Sequence, residues 1–341
     1  MKDPAHSVPS WQARLGAAKR SGAALAEVLG LPPGACSAEA ELQFRVRVPS
    51  EFLAAIAPGR PDDPLLRQVL PGPEEELDAP GFVADPVGEL AAMPRPGLVH
   101  KYHGRVLLVV TGACAIHCRY CFRRHFPYQE AHAAEEDFAL ALDYIAGDAS
   151  IREVILSGGD PLVLVDHRLA ALAEALAAIP HVRTLRFHTR VPTVLPERID
   201  DAFLAWFGLL GLRKVVVVHV NHAHELTPAA RGALARLKQA GATLLNQAVL
   251  LRGVNDTPEA QAQLAEALFD TGVLPYYLHL LDRVQGAAHF EVGEGEAARL
   301  MEAIRARLPG YLVPRLVREV AGASSKMPVS SRAFDDLYCE N

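Results

Sequence analysis

Three cysteines in one short stretch are the residues of this chain whose types and spacing could do chemistry. Cys114, Cys118 and Cys121 form a C-x-x-x-C-x-x-C array inside Thr111–Phe126, TGACAIHCRYCFRRHF, with Tyr120 directly before the last cysteine. Thiolates on one loop can hold three corners of a cubane iron-sulfur cluster, and without a fourth nearby cysteine one iron stays open to a non-protein ligand. A structural zinc site competes with this reading. It wants four closed ligands, often as paired C-x-x-C knuckles. No second pair exists, and His117 and His125 lie inside or beside the array, where a short loop wraps four ligands round one ion only with difficulty. A ferredoxin-like carrier would want a fourth cysteine, usually before a proline, whereas Cys36 and Cys339 are far away in sequence. The spacing favours the open-iron cluster, with zinc the main alternative.

Regular elements must position that loop. Apolar, β-branched runs at Val106–Thr111, Glu153–Ser157, Thr184–Thr189, Lys214–Val220, Thr243–Leu250 and Pro275–Leu281 read as strands. Alanine-rich amphipathic segments lie between them: Ala134–Ala146, His167–Ile179, Arg198–Phe207, Pro228–Ala240 and Pro258–Thr271. Strands this apolar, separated by helices, indicate an α/β fold with a helix-covered parallel sheet, and six such units fit an incomplete (β/α)6 barrel better than a closed eight-stranded one. A helix over Glu294–Arg307 and a strand-like run over Leu312–Val320 follow, then the tail AGASSKMPVSSR. The first 95 residues differ: helical patterns at Trp11–Leu29 and Glu39–Arg45 alternate with proline-rich breaks, as expected of a helical extension serving as scaffold. The expected division is therefore 1–95, a core unit over 96–290, and a C-terminal segment over 291–341.

Chemistry in such sheets collects where strands end. The cysteine loop follows the first predicted strand. After the second come Gly158, Gly159 and Asp160, where glycines let a backbone approach a ligand and the carboxylate can accept from an amine. Arg190 follows the third, Asn221 and His222 the fourth, and Gln247 lies within the fifth. Strand alternation points His219 away from His222, which argues against a histidine metal site there.

Composition is that of a globule: 341 residues, 50% hydrophobic, net charge −6. The charge gives no reason to expect nucleic-acid binding. Five cysteines with three clustered argue for a reducing compartment rather than a disulfide framework. No apolar run reaches membrane-spanning length and the N-terminus lacks an apolar h-region, so the expectation is a cytoplasmic protein without a membrane partner.

Cys114-x-x-x-Cys118-x-Tyr120-Cys121 resembles the signature of radical S-adenosylmethionine enzymes, in which the open iron is chelated by the methionine moiety of the nucleotide. Within that superfamily the chain resembles the lysine 2,3-aminomutases from about residue 50 onward. Matching stretches include Asp62-Asp63-Pro64, Gln68-Val69-Leu70-Pro71, Asp85-Pro86-x-Gly88-Glu89, Arg123-Arg124, Ser157-Gly158-Gly159-Asp160 and Leu251-Arg252-Gly253-Val254-Asn255-Asp256. The resemblance implies a radical-SAM partial barrel, a [4Fe-4S] cluster on the three cysteines, S-adenosylmethionine, and pyridoxal 5′-phosphate held as a Schiff base by a lysine near the C-terminus. That lysine is Lys326, in Ala321-Gly322-Ala323-Ser324-Ser325-Lys326, where relatives usually have a run of glycines. The resemblance assigns the cofactor phosphate to Arg105 and Lys101, the latter usually arginine. It gives the substrate carboxylate to Arg123, and the distal ammonium of L-lysine to Asp282 and Glu319, the second usually aspartate.

The implied reaction moves an amino group from C2 to C3 of lysine through a 5′-deoxyadenosyl radical, with an electron donor of flavodoxin or ferredoxin type. The chain ends fifteen residues after Lys326. Its length resembles the shorter bacterial branch that supplies (R)-β-lysine to a separate ligase for modification of elongation factor P. Two other readings stand beside it: a metabolic aminomutase on lysine or another amino acid, and a non-catalytic zinc-binding translation accessory.

Overall fold

Short runs of valine, leucine and isoleucine build the centre of the structure. In this computed structural model residues 10–131 and 137–329 are described. One sheet holds nine strands in sequential order: β1 Leu98–Tyr102, β2 Arg105–Thr111, β3 Glu153–Gly158, β4 Thr184–Thr189, β5 Arg213–Val218, β6 Ala242–Val249, β7 Leu274–His279, β8 Arg315–Arg318 and β9 Met327–Pro328. Pairing is parallel from β2 through β8, while β1 and β9 join antiparallel at the two edges. The expected parallel order is present, and the sheet is open among the described residues. Two strands were absent from the sequence reading. β1 turns into β2 through Gly104, whose φ of +76° suits the left-handed turn, and β9 is too short to leave a pattern.

The connecting helices follow from one spacing. Pro228–Gln239 buries Ala230, Ala233, Leu234 and Leu237, Pro258–Asp270 buries Gln261, Leu264, Ala265 and Leu268, and Glu294–Arg307 buries Ala297, Leu300, Met301 and Ile304. Each is an i, i+3, i+4, i+7 stripe turned to the sheet. The first two begin with proline after a threonine cap, Thr227 or Thr257, whose side chain accepts from a backbone N–H three residues on. The expected helix at Arg198 instead begins at Asp201, capped by Asp200. Arg198 itself is fully buried, donating to the Leu162 and Leu164 carbonyls and to Asp166. The helix expected from Ala134 is seen as Asp137–Gly147; its first three residues lie outside the described ones.

The N-terminal region departs most from expectation. Trp11–Leu29 is not one helix but two, Trp11–Gly16 and Gly22–Val28. The break forms because Lys19 pairs with Val48 as a β-bridge and Ser21 caps the second helix. This region shares the main core: Trp11, Leu25, Phe52 and Leu66 belong to the same buried cluster as the strand and helix residues out to Leu316. It also sends polar residues toward the cysteine loop, so it is more than scaffold.

Candidate active site

The strand ends enclose a cavity of about 480 Å³, inside the range of small-molecule sites. Its wall runs from β1 to the β9 segment and includes all three loop cysteines, Gly158, Gly159, Asp160, Arg190, Asn221, Gln247, Asp282, Glu319 and Lys326. Lys101, Arg105 and Arg123 also line it. His222 does not. Its ring caps the Ala223–Glu225 turn, accepting from the His224 N–H at 3.3 Å. His219 lines the cavity instead, paired with Gln247 at 2.9 Å, as alternation along the strand requires.

The cysteine loop is clamped from several sides. Arg119 and Arg124 both donate to Glu75, at 2.6 and 2.8 Å, and all three side chains are sealed from solvent. Arg47 donates to the Cys114 carbonyl at 3.0 Å. Gly158 and Gly159 pack beneath the loop: a Cβ on Gly159 would sit 2.1 Å from the Ala113 carbonyl oxygen, and one on Gly158 2.4 Å from that of Thr111. Backbone packing demands these glycines, which also form part of the cavity wall. Asp160 is likewise engaged by the fold. One oxygen accepts from Leu162 N–H and Thr189 hydroxyl, the other from Arg190 and Val191 N–H. It ties the end of β3 to the end of β4 and has no free oxygen turned to an amine.

Burial raises the Cys114 thiol well above its ordinary range, reinforced by Cys121 and Asp160. Burial and Cys118 push Cys121 to about 11. Cys114 and Cys121 thus resist ionisation unless a cationic centre shares them.

The other charges divide sharply. Six cations line the cavity, and five of them face a carboxylate. Arg123 forms a two-pronged pair with Glu89 and also donates to Ser157 and the Gly158 carbonyl. Arg186 pairs with Glu153, and Arg190 with Glu225. Lys101 and Lys326 each lie 2.8 Å from one oxygen of Glu319. Arg105 alone has no carboxylate among the described residues; its guanidinium lies 4.8 Å from the Tyr102 ring centroid. Among the four lining carboxylates, Asp282 alone makes no ion pair or side-chain hydrogen bond among the described residues. Burial, with Glu319 adding repulsion, raises it to about 7. Glu319 goes the other way: burial is outweighed by Lys326 and Lys101, which hold it at about 2. The cavity thus offers one uncommitted cation and one uncommitted acid. Arg123 and Glu319, expected to face a substrate, are engaged by protein partners.

The Radical SAM superfamily model matches residues 108–264. The L-lysine 2,3-aminomutase of Escherichia coli strain K12 is 50% identical over 84% of this chain and 83% of its own length. The enzyme of the same name from Haemophilus influenzae is 47% identical over 83% and 84%. The chain belongs to the lysine 2,3-aminomutase family. Within it the chain stands with the short bacterial branch, 42–50% identical to the relatives of that name from Escherichia coli, Haemophilus influenzae and Buchnera aphidicola, against 36% for the one from Clostridium subterminale.

Members of this family are radical SAM isomerases, so a [4Fe-4S] cluster and S-adenosylmethionine belong to the chemistry. The donor set fits the cluster. Cys114, Cys118 and Cys121 have free thiols and rim one cavity. His117 and His125 each hydrogen-bond a backbone carbonyl through one ring nitrogen, of Arg45 and Gln285. Among the described residues no three His, Cys, Asp or Glu side chains converge on one ion, and no helix is long and apolar enough to cross a membrane.

Sequence reasoning missed Gln68, Glu75, Glu89 and Glu225, the buried groups that hold the loop and strand-end arginines. Gln68 and Glu89 stood inside quoted family motifs, and that was their only signal. Two of the motif aspartates fix turns: Asp63 accepts from Ala57, Leu65 and Leu66 N–H, and Asp85 from Glu89 and Leu90 N–H, in the turns that present Gln68 and Glu89.

Proposed function

We propose that the protein converts L-lysine to (R)-β-lysine, and that the uncommitted pair in the cavity, Arg105 and Asp282, carries this reading. Lysine joined to a phosphate-bearing cofactor presents an anion and a distal ammonium. Arg105 is the free cation for the first, and Asp282 the free acid for the second. Lys326, half-buried and turned into the same cavity, is the amine that would hold pyridoxal 5′-phosphate. The chemistry these groups supply when bound is radical generation from S-adenosylmethionine at the cluster and delocalisation of the radical by pyridoxal phosphate.

The chain's own residues bind, orient and seal. Cys114, Cys118 and Cys121 would hold the cluster. Gln247, Asn221 and Arg190 line the stretch of wall between the cysteine loop and the pyridoxal end and would face S-adenosylmethionine, with Gly158 and Gly159 keeping the loop close to β3. Lys101, drawn to Glu319 and the Val87 carbonyl, holds the wall beside Lys326 and adds positive charge near Arg105. Arg123, pinned by Glu89, positions the loop and presents its remaining surface to the substrate carboxylate. A neutral floor is supplied by His188, His219 and His279. Burial lowers all three, His219 to about 3, and so favours their uncharged forms.

We read the product's fate from the short branch: β-lysine passes to a ligase that attaches it to elongation factor P. The one-electron donor is of flavodoxin or ferredoxin type, and the setting is the cytoplasm. The three-part division of the chain at about 95 and 290 belongs to the same reading. Borohydride reduction after incubation with pyridoxal phosphate should leave a pyridoxyl mass on the peptide containing Lys326. Chiral chromatography then checks the product's hand, and the mass of elongation factor P incubated with ligase and product checks its destination. A label on any other lysine would contradict the assignment of Lys326.

A further inference from the structure

The Arg190 side chain reaches from the end of β4 to the cysteine loop. Its Nη1 donates to the Cys118 sulfur at 2.8 Å. Its Nη2 donates to Gln68 and, at 2.8 Å, to Glu225. The guanidinium is 5% exposed and lies 5.3 and 5.8 Å from the ring centroids of Phe52 and Tyr120. Its partners are fixed in turn. Gln68 donates to Glu225 at 3.2 Å and to the Pro64 carbonyl at 3.1 Å, and Asn221 donates to Gln68 at 3.1 Å and to the Tyr120 hydroxyl at 2.7 Å. Glu225 also accepts the Asn221 and His222 N–H groups at 2.9 and 3.1 Å. Residues from the N-terminal region, the cysteine loop, β4 and the segment after β5 therefore converge to hold one guanidinium on one sulfur.

We propose that Arg190 is a positioning residue that sets the reduction potential of the cluster through its hydrogen bond to Cys118, and that Glu225 moderates it from the other side. This rests on the assignment of the cluster to the three cysteines. One-electron reduction adds negative charge that is shared by the ligating sulfurs. A cation donating to one of them stabilises the reduced form more than the oxidised form and raises the potential. A carboxylate on the far side of the same guanidinium offsets part of that field. The charge pattern thus predicts opposite signs for two substitutions at neighbouring positions, which a merely structural role would not give.

The test is a redox titration of the anaerobically reconstituted protein, without S-adenosylmethionine or lysine, followed by the electron paramagnetic resonance signal of the reduced cluster. Arg190→Met should shift the midpoint to more negative potential, Arg190→Lys by less, and Glu225→Gln to more positive potential. Should Arg190→Met fail to hold a cluster, the lysine and glutamine variants decide by their signs. Unchanged midpoints in variants that carry a full cluster, or shifts of the same sign at both positions, would overturn the proposal and leave the cluster assignment standing. A wild-type protein that assembles no cluster on these cysteines would overturn both.

Discussion

Replacing Asp282 with asparagine should make the cofactor-free protein more stable at alkaline pH while removing its ability to recognise a distal cation. Asp282 is held at about 7 in the folded protein against an ordinary value of 3.8, because burial and the Glu319 charge disfavour its ionised form. The unfolded chain releases its proton near 3.8, so between the two values only the folded state keeps it. Stability is unaffected below the lower value, erodes as pH rises, and is reduced by the full amount above about 7. At about 1.4 kcal/mol per pH unit the penalty has a ceiling of about 4 kcal/mol, and because the side chain opens onto cavity water about 2 kcal/mol is the expected size. Urea denaturation of wild type and Asp282→Asn should coincide near pH 5 within a few tenths of a kcal/mol and separate near pH 8.5, the variant being the more stable. Wild-type preference for lysine over norleucine should strengthen as pH rises through about 7, and the variant should show no such dependence. An asparagine variant that is less stable at alkaline pH, or that still prefers lysine, would refute the reasoning.

Three further perturbations test the scaffold around the site. Glu75→Gln leaves Arg119 and Arg124 sealed from solvent without a counter-charge, which should cost about 3–5 kcal/mol in denaturant titration. Glu319→Gln strands Lys101 and Lys326 without their shared carboxylate. Since Glu319 is held at about 2 rather than 4.5, wild type should exceed the variant by at most about 3 kcal/mol above pH 4.5, a margin that vanishes as pH falls toward 2. Gly159→Ala drives a methyl into the Ala113 carbonyl; it should destabilise by about 1–3 kcal/mol and lower the iron bound per chain on reconstitution.

Much of the frame could be read from the sequence because a buried parallel sheet leaves continuous apolar runs. Val215–Val218 and Val154–Leu156 are unambiguous, while β1, Leu98-Val99-His100-Lys101-Tyr102, carries two polar residues and hides. The Trp11–Leu29 pattern was periodic enough for one helix, but a tertiary bridge from Lys19 to Val48 overrode it. The cysteines announced themselves by spacing, whereas Lys326, preceded by small residues, looked like any solvated lysine until the resemblance singled it out. Glu75 and Glu225 were invisible for the same physical reason, and Glu89 showed only as part of a motif: a carboxylate reads as surface until the arginine that meets it is known. Arg123 and Glu319 show the converse limit, since resemblance located them in the cavity and only geometry revealed their protein partners.

The most direct test of the central claim is an anaerobic assay of the reconstituted protein with S-adenosylmethionine, pyridoxal phosphate, a reductant and L-lysine, read by mass-resolved chromatography, beside Cys118→Ala and Lys326→Ala. The account predicts β-lysine from wild type and none from either variant. Unchanged lysine from a protein that carries both its cluster and pyridoxal phosphate would contradict it.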